Sequence, residues 1–200
     1  VKGLTETLEA LSRKKVGQST AEKIISSAKN SFGVTFSKES FKFQLKLLIE
    51  QIQFIDNQVK ECETKIKELM EKINSPITSI PGIGPVLGAV IISELGDIKR
   101  FDKPSKLVAF AGIDATVSQS GEFEGTHNVM SKRGSPYLRK ALFQAALVAS
   151  NTDPILKAYY QKKRAEGKHH KTCIGAVARK MCNIIYVVLK NNKPYEVPNK

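Results

Sequence analysis

A serine followed by a glycine, Ser120-Gly121, lies within residues 115–130, a segment of Thr, Val, Ser, Gly and Phe with weak alternation. This pattern predicts a small β-hairpin that turns near Gly121 and leaves the Ser120 hydroxyl exposed. An exposed serine could attack a phosphodiester, although a free hydroxyl is poorly ionised near neutral pH and needs help. Without other information, Ser-Gly in a hairpin is most often turn chemistry alone.

Attack on a phosphodiester requires positive charge close to the phosphate, and the segment after the hairpin contains several basic residues. Its sequence is Ser-Lys-Arg-Gly-Ser-Pro-Tyr-Leu-Arg-Lys over residues 131–140. The candidate phosphate contacts there are Ser131, Lys132, Arg133, Arg139 and Lys140. Cations at these positions would neutralise the non-bridging oxygens. His127 is near in sequence and could act as a base, although a lone histidine in a hairpin usually does not.

A glycine-rich turn forms a second candidate contact with phosphate. Residues 77–92, ITSIPGIGPVLGAVII, fit a helix-hairpin-helix, in which backbone N–H groups at a helix start face a phosphate. Gly82 and Gly84 would allow close backbone approach, Ile83 would fill the hairpin core, and Pro85 suits a first helical turn. Such a turn contacts the backbone without reading bases. The alternative is a purely structural turn before a buried helix.

The net charge of +13 is concentrated in the last part of the chain. Residues 1–125 contain 17 Lys and Arg against 16 Asp and Glu, whereas residues 126–200 contain 15 against 3. Nucleic acid is the commonest partner of such a field, because bound cations release condensed counterions. A solubilising face or anionic lipid is the alternative, but no amphipathic membrane helix stands out.

Basic residues recur in the last predicted helices, at 162–164 and again at Arg179 and Lys180. The apolar stripe of the final helix leaves Arg179 and Lys180 on its other faces, where they could form a solvated surface or contact a DNA or RNA backbone. His169 and His170 are adjacent and cannot readily serve one metal, and no Cys or acid completes a site. We therefore expect no metal site in this chain.

The elements that must position these residues begin with one long helix. Its apolar residues follow at alternating intervals of four and three: Phe41, Leu45, Leu48, Ile52, Ile55, Val59, Cys62, Ile66, Leu69 and Ile73. This a/d seam predicts a coiled-coil helix of about 35 residues. Its partner could be a second copy of the chain, an antiparallel helix elsewhere in the protein, or another domain.

The predicted fold is mainly α: a long coiled-coil helix, then a compact helical domain with a helix-hairpin-helix and one small β-hairpin. Two short helices precede residue 35, and later helices are predicted at 85–95, 104–111, 136–150, 153–166 and 171–190. We divide the chain into residues 1–75, a helical and oligomerising region, and residues 76–200, which would bind nucleic acid and carry the candidate nucleophile.

Cysteine usage and hydropathy favour a cytoplasmic protein. Cys62, Cys173 and Cys182 are too few and too scattered for a disulfide framework, and each lies in a helix-like apolar pattern. No signal peptide is recognised, and the longest apolar run, 86–92, is too short to span a membrane. Because Val1 opens the sequence amid helix-like polar text, we expect the chain to be part of a longer protein.

Several motifs in one order resemble a known family. They are Pro-Gly-Ile-Gly-Pro at 81–85, Phe-Ala-Gly-Ile-Asp at 110–114, Ser-Gly at 120–121 and Ser-Lys-Arg-Gly-x-Pro-Tyr-Leu-Arg-Lys-Ala-Leu at 131–142. Together they closely resemble the C-terminal transposase domain of the IS110/IS116 group of insertion-sequence transposases, which includes Piv-like invertases and RNA-bridged serine recombinases. The resemblance covers residues 76–150 well, takes in the long helix as the coiled coil, and extends loosely to the tail.

The resemblance implies more than the residues alone do. Members carry an N-terminal RuvC-like domain whose acidic residues bind Mg²⁺, act on DNA as dimers or tetramers, and use a guide RNA encoded by the element. A serine in the family's Ser-Gly motif forms a covalent phosphoserine link to DNA, and the matching residue here is Ser120. The sequence departs from the family at Ala115-Thr-Val-Ser, where Pro-Arg-Gln-His-like text is frequent, and at Glu122. Ser118 is therefore the fallback nucleophile.

These observations support a DNA transposase or site-specific recombinase as the leading hypothesis. The chain would be its C-terminal part, inactive without the RuvC-like domain, because no spacing of Asp and Glu here suggests the acidic tetrad. The rival hypotheses are a non-catalytic architectural module that binds DNA or RNA and oligomerises through the coiled coil, and an RNA-binding scaffold.

Overall fold

A computed structural model describes residues 2–12, 15–31, 37–116, 119–120, 123–124 and 129–197. The prediction of a mainly α fold is confirmed. In chain order the helices are α1 (Lys2–Leu11), α2 (Gln18–Lys29), α3 (Lys38–Ile73), α4 (Pro85–Leu95), α5 (Pro104–Phe110), α6 (Pro136–Thr152), α7 (Pro154–Ala165) and α8 (His170–Asn191). Two short 3-10 helices, Pro76–Ser79 and Ile98–Arg100, flank α4, and two strands, β1 (Gln119–Ser120) and β2 (Phe123–Glu124), follow α5.

The chain divides into two compact units, Val1–Asp56 and Asn57–Lys200, and the boundary falls inside α3. In the first unit α1 and α2 pack against each other, and Ala21 of α2 is fully buried. The second unit contains α4 to α8 and nearly all of the buried apolar residues.

Helix α3 is continuous over 36 residues, as the seam pattern predicts for residues 41–73. Eight of the ten seam residues are large apolar side chains between 48% and 59% exposed in the isolated chain. Cys62 is also exposed, and Ile66 is half-buried. Near the end of the helix, Met70 is buried in the core of the second unit. Most of the seam is thus an apolar face that this single chain leaves in water.

The core of the second unit is built around α6 and α8. Small residues of α6, Ala141, Ala145, Ala146 and Ala149, are all buried, which lets neighbouring backbones approach closely. Helix α8 buries a stripe at three- and four-residue spacing: Ile174, Val177, Ala178, Met181, Ile185 and Val188. Helices α4 and α7 pack on α6, and α5 and α7 pack on α8.

Among the described helices, α8 has the length and composition to cross a membrane, with a mean hydropathy of 1.5. Half of that stretch is buried inside the second unit. Its apolar stripe packs against α5, α6 and α7, so a place in the protein core accounts for its composition.

Candidate nucleic-acid interface

Helix α5 ends in a Schellman motif that turns the chain out of the core. Gly112 has a positive φ of 65°, and its N–H donates to the carbonyl of Ala109 at 2.9 Å. The N–H of Ile113 reaches back to the carbonyl of Val108 at 3.2 Å. Ile113 is fully buried and anchors the exit.

From this exit two segments, 112–116 and 129–134, run antiparallel and form what we call the stem. Its ladder consists of backbone bonds from Thr116 N–H to the Val129 carbonyl (2.7 Å), from Ser131 N–H to the Asp114 carbonyl (2.9 Å) and from Lys132 N–H to the Gly112 carbonyl (3.0 Å). Ala115 also pairs with Met130. The stem therefore joins the end of α5 to the start of α6.

Beyond the stem, β1 and β2 pair antiparallel, with Ser120 opposite Phe123. The backbone of Ser120, the predicted nucleophile, is thus in β1. The fallback Ser118 and the candidate base His127 lie outside the described residues.

Two glycines allow the stem segments to meet at their root. A Cβ on Gly134 would overlap the carbonyl oxygen of Phe110, and a Cβ on Gly112 would lie 2.6 Å from the amide nitrogen of Gly134. Both contacts are with backbone atoms, which cannot move aside as a flexible side chain can. The root consequently accepts only glycine at these two positions without rearrangement.

Residues 131–135, which lead from the stem into α6, are held at both ends by serine–carboxylate pairs. The hydroxyl of Ser131 donates to the carboxylate of Asp114. The hydroxyl of Ser135 donates to Oε2 of Glu94 at 2.6 Å and accepts the N–H of Leu138, so it also caps α6. Ser131, which the sequence suggests as a phosphate contact, already has a carboxylate partner.

Lys132 and Arg133 lie between those two pairs, and both side chains are exposed. Lys132 adopts a φ of 54°, a left-handed conformation that non-glycine residues rarely adopt. Its N–H bond to Gly112 holds it there. The structure therefore presents these two predicted cations to solvent from a segment fixed at both ends.

Arg139 and Arg179, by contrast, point at the stem root. Nε and Nη2 of Arg179 both donate to the carbonyl of Ile113, at 3.1 and 2.9 Å. Nη1 of Arg139 donates to the carbonyls of Ala111 (3.3 Å) and Gly134 (3.4 Å). Arg179 is nevertheless exposed, as are the neighbouring lysines Lys140 and Lys180, and Lys180 places Nζ 4.1 Å from the ring centroid of Tyr159 on α7.

The glycine turn before α4 packs against α6. Ile83 is only 3% exposed. Gly82 has a φ of 88°, and a Cβ there would overlap the carbonyl oxygen of Ala145. Gly84, the N-cap of α4, is exposed and has no neighbour within 4 Å of such a Cβ. Packing accounts for Gly82, and only Gly84 leaves open space for a ligand.

The structure thus brings some predicted site residues together and separates others. The stem itself contains Ser131, Lys132 and Arg133, and its root is contacted by Arg139 and Arg179. The glycine turn contacts α6 at Ala145, which is six residues, or about 9 Å of helix, beyond Arg139. Sequence analysis missed the carboxylates of Asp114 and Glu94, whose serine partners are 17 and 41 positions away.

The turn between α7 and α8 contains most of the remaining cations. Glu166 receives hydrogen bonds from Lys163 (2.8 Å) and pairs with Lys168 (3.0 Å), and these contacts lower the pKa of its carboxyl to about 2. The hydroxyl of Tyr160 lies 2.7 Å from Nδ1 of His170. Across the described ranges, no group of three His, Cys, Asp or Glu side chains is placed to hold a metal ion.

The family match and the similar proteins all point to one group of transposases. Residues 74–161 match the family described as Transposase IS116/IS110/IS902. The chain is 29% identical over 152 residues to the insertion element IS110 uncharacterized 43.6 kDa protein of Streptomyces coelicolor, a match of 74% of this chain and 37% of that protein. It is 29% identical over 151 residues to the insertion element IS900 uncharacterized 42 kDa protein of Mycobacterium paratuberculosis (74% and 38%). It is also 28% identical over 148 residues to the pilin gene-inverting protein of Moraxella bovis (74% and 46%). The matched part therefore spans less than half the length of each of these relatives.

Proposed function

The chain belongs to the IS116/IS110/IS902 transposase family, and from this premise we propose that it is the C-terminal, DNA-handling part of a transposase or site-specific recombinase. It binds DNA through its basic surface and supplies a serine that cleaves and rejoins strands. A RuvC-like domain elsewhere in the whole protein contributes Mg²⁺, and the isolated chain is inactive without that domain.

One observation carries the proposal. Lys132 and Arg133 are exposed on a segment fixed at both ends, at the root of the stem that continues into the strand containing Ser120. Because the backbone of this segment is already held in place, less reorganisation is needed when the two side chains contact a phosphate on which charge develops. We propose that a DNA strand held by these two side chains extends along the stem to the candidate nucleophile.

The proposed chemistry conserves the number of phosphoester bonds. The Ser120 hydroxyl attacks the phosphorus and loses its proton to a base, while the bond to one deoxyribose oxygen breaks and that oxygen is protonated. A phosphoserine ester results. A deoxyribose hydroxyl of another strand then attacks the same phosphorus and loses its proton to a base, while the bond from phosphorus to the serine oxygen breaks and that oxygen is protonated. Ser118 is the fallback for this role.

DNA contacts outside the stem complete the surface. Gly84 and the exposed start of α4 face a backbone phosphate, with Gly82 and Ile83 shaping the turn behind it. Lys140 and Lys180 add charge on α6 and α8.

Oligomerisation through α3 completes the assembly. Because the seam is apolar and about half exposed in one chain, we propose that a coiled coil buries it and links two or four copies. The protein acts in the cytoplasm on DNA, with a guide RNA of the element as a further partner.

The test compares Ser120→Ala with Ser118→Ala in the whole recombinase. Incubation with DNA that carries an element end should give a covalent protein–DNA adduct in the parent and in Ser118→Ala, but none in Ser120→Ala. Peptide mass spectrometry locates the linked serine. Persistence of adduct and recombination in both variants would contradict the assignment of the nucleophile to Ser120 or Ser118, whereas absence of adduct in the parent would favour the architectural module. Competition between DNA and RNA distinguishes the two nucleic acids.

A further inference from the structure

The two arginines at the stem root donate to carbonyls at and just beyond the end of α5, since Ala111 is the C-cap of that helix and Ile113 is two residues past it. The last carbonyls of a helix have no intrahelical donor, and a cation near that end is favoured by the helix dipole. Helix α5 ends at this point, and its Schellman motif uses the carbonyls of Val108 and Ala109. The carbonyls of Ala111 and Ile113 are the ones that Arg139 and Arg179 contact.

The contact of Arg179 has a geometry that suits a fixed brace. Two nitrogens of one planar guanidinium converge on a single oxygen, at 3.1 and 2.9 Å. A guanidinium presents such a fork without further ordering, whereas a lysine ammonium is a single flexible point charge. Residues 179 and 113 are 66 positions apart, so this contact ties α8 directly to the beginning of the stem.

A second contact lies one helical turn earlier on α8. A Cβ on Gly175 would lie 3.5 Å from the terminal carbon of Met130, whose backbone pairs with Ala115. The stem therefore runs along α8 towards the start of that helix, from Ile113 beside Arg179 to Met130 beside Gly175. Arg139 of α6 holds the root from its own side, through the carbonyls of Ala111 and Gly134.

We propose that Arg139 and Arg179 are positioning residues that brace the stem against α6 and α8, and that they are not the phosphate contacts suggested by the sequence pattern. The inference rests on the proposed function in taking the stem to carry a nucleophile. A reacting group misplaced by about 1 Å can lose about a hundredfold in rate, so bracing the root controls the reaction from a distance. DNA affinity then depends on the lysines and on Arg133.

The chain provides matched controls for this proposal, because a lysine follows each arginine directly in the same helix. The variants Arg139→Gln and Arg179→Gln are compared with Lys140→Gln and Lys180→Gln, each of which removes one positive charge. Hydrogen–deuterium exchange of the Thr116, Ser131 and Lys132 amides, which form the stem ladder, reports on the brace. We expect about tenfold faster exchange of these amides in the arginine variants and no change in the lysine variants.

Binding to a DNA duplex over a range of salt concentrations gives the second measurement. Each lost phosphate contact reduces the slope of log K against log salt by about 0.9. We expect this reduction for Lys140→Gln and Lys180→Gln, and an unchanged slope for both arginine variants. The inference is overturned if the arginine variants lose slope as the lysines do and keep the stem protected from exchange.

A conservative substitution settles the mixed case in which an arginine variant loses both affinity and protection. Arg179→Lys keeps the charge and the aliphatic part of the side chain, but an ammonium group cannot donate through two nitrogens to one carbonyl. If Arg179→Lys loses the exchange protection of the stem amides but keeps its DNA affinity, the bracing role is supported. If it keeps both, the bracing role is overturned. These readouts do not depend on which serine reacts, so they remain decisive if Ser120→Ala still forms adduct. In the whole recombinase, Arg179→Gln should slow adduct formation about a hundredfold without weakening DNA binding.

Discussion

The hydroxyl of Tyr195 donates a 2.9 Å hydrogen bond to Oδ2 of Asp153, although 42 positions separate the two residues. Asp153 is fully buried, and its Oδ1 accepts the N–H of Leu156 at 2.7 Å, which caps α7. The backbone N–H of Tyr195 donates to the hydroxyl of Ser79 at 2.7 Å. Hydrogen bonds therefore hold the segment after α8 both to the start of α7 and to the 3-10 helix Pro76–Ser79.

Replacement of Tyr195 by Phe should destabilise the second unit and change how its stability depends on pH. Burial, followed by the Asp153 contact, raises the pKa of Tyr195 to about 12. The unfolded chain releases the Tyr195 hydroxyl proton near pH 10, whereas the folded chain keeps it to about pH 12. The stabilisation that this hydroxyl contributes to the fold is therefore complete below about pH 10 and declines as the pH rises to about 12. Near pH 8, Tyr195→Phe should lower the free energy of unfolding by about 1 kcal/mol.

Urea unfolding of parent and variant at several pH values between 8 and 12 measures both effects. The difference in unfolding free energy between parent and variant should shrink as the pH rises, because only the parent carries the Tyr195 hydroxyl that titrates. Equal loss of stability in both proteins over this range would contradict the assignment.

The two glycines of the turn before α4 should respond differently to alanine. Gly82→Ala places a methyl group on the backbone of α6 at a positive φ, and we expect a loss of about 3 kcal/mol in unfolding free energy. Gly84→Ala meets open space, and we expect a loss of less than about 1 kcal/mol. Thermal unfolding compares the two. If Gly84 contacts phosphate, its alanine variant folds normally and binds DNA less tightly; unaltered DNA affinity would argue against that contact.

An aspartate in the α3 seam should dissociate the proposed oligomer without unfolding the second unit. Ile52 is 59% exposed in the single chain, so a charge there costs the monomer little but would be buried in a coiled coil. Gln53→Asp, one position away and off the seam, is the control. Sedimentation velocity should show the parent and the control as oligomers and Ile52→Asp as a monomer. An assembly that survives Ile52→Asp is not held together by this seam.

Thiol reagents should distinguish the three cysteines. Cys62 is exposed, whereas Cys173 and Cys182 are buried. Burial raises the pKa of Cys182 to about 12, so thiolate, the reactive form, is scarce there at neutral pH. In the native monomeric Ile52→Asp variant we expect rapid modification of Cys62 and slow modification of the other two, monitored by mass spectrometry. In the oligomer, Cys62 should be protected; rapid reaction of Cys182 in folded protein would contradict the burial of that side chain.

Much of the helical layout is predictable because the chain marks helix starts locally. Helices α4, α5, α6 and α7 begin at Pro85, Pro104, Pro136 and Pro154, where proline's missing N–H costs nothing. The seam spacing likewise predicts α3 as one helix. The start of the first 3-10 helix at Pro76 agrees with the predicted end of α3 near residue 74.

The partners of individual polar residues are less predictable, because they depend on contacts between distant segments. Spacing within a helix shows that Arg179 lies off the apolar stripe, but not that Ile113 lies opposite it. The same holds for Gly82, where a side chain is excluded because its Cβ would overlap the carbonyl oxygen of Ala145 on another helix. The Asp114–Ser131 pair joins two motifs recognised separately in the sequence.

The touching glycines at the stem root have a consequence for the design of altered recombinases. Twenty-one residues separate Gly112 from Gly134, yet the chain leaves the helical core and returns to it at one point. Because Thr116 is already paired with Val129, lengthening the chain between these two residues should add little closure entropy and leave Ile113 and Met130 packed on the hydrophobic interior. We therefore expect altered recombinases to tolerate added residues near the Ser120 hairpin better than any change at the two root glycines.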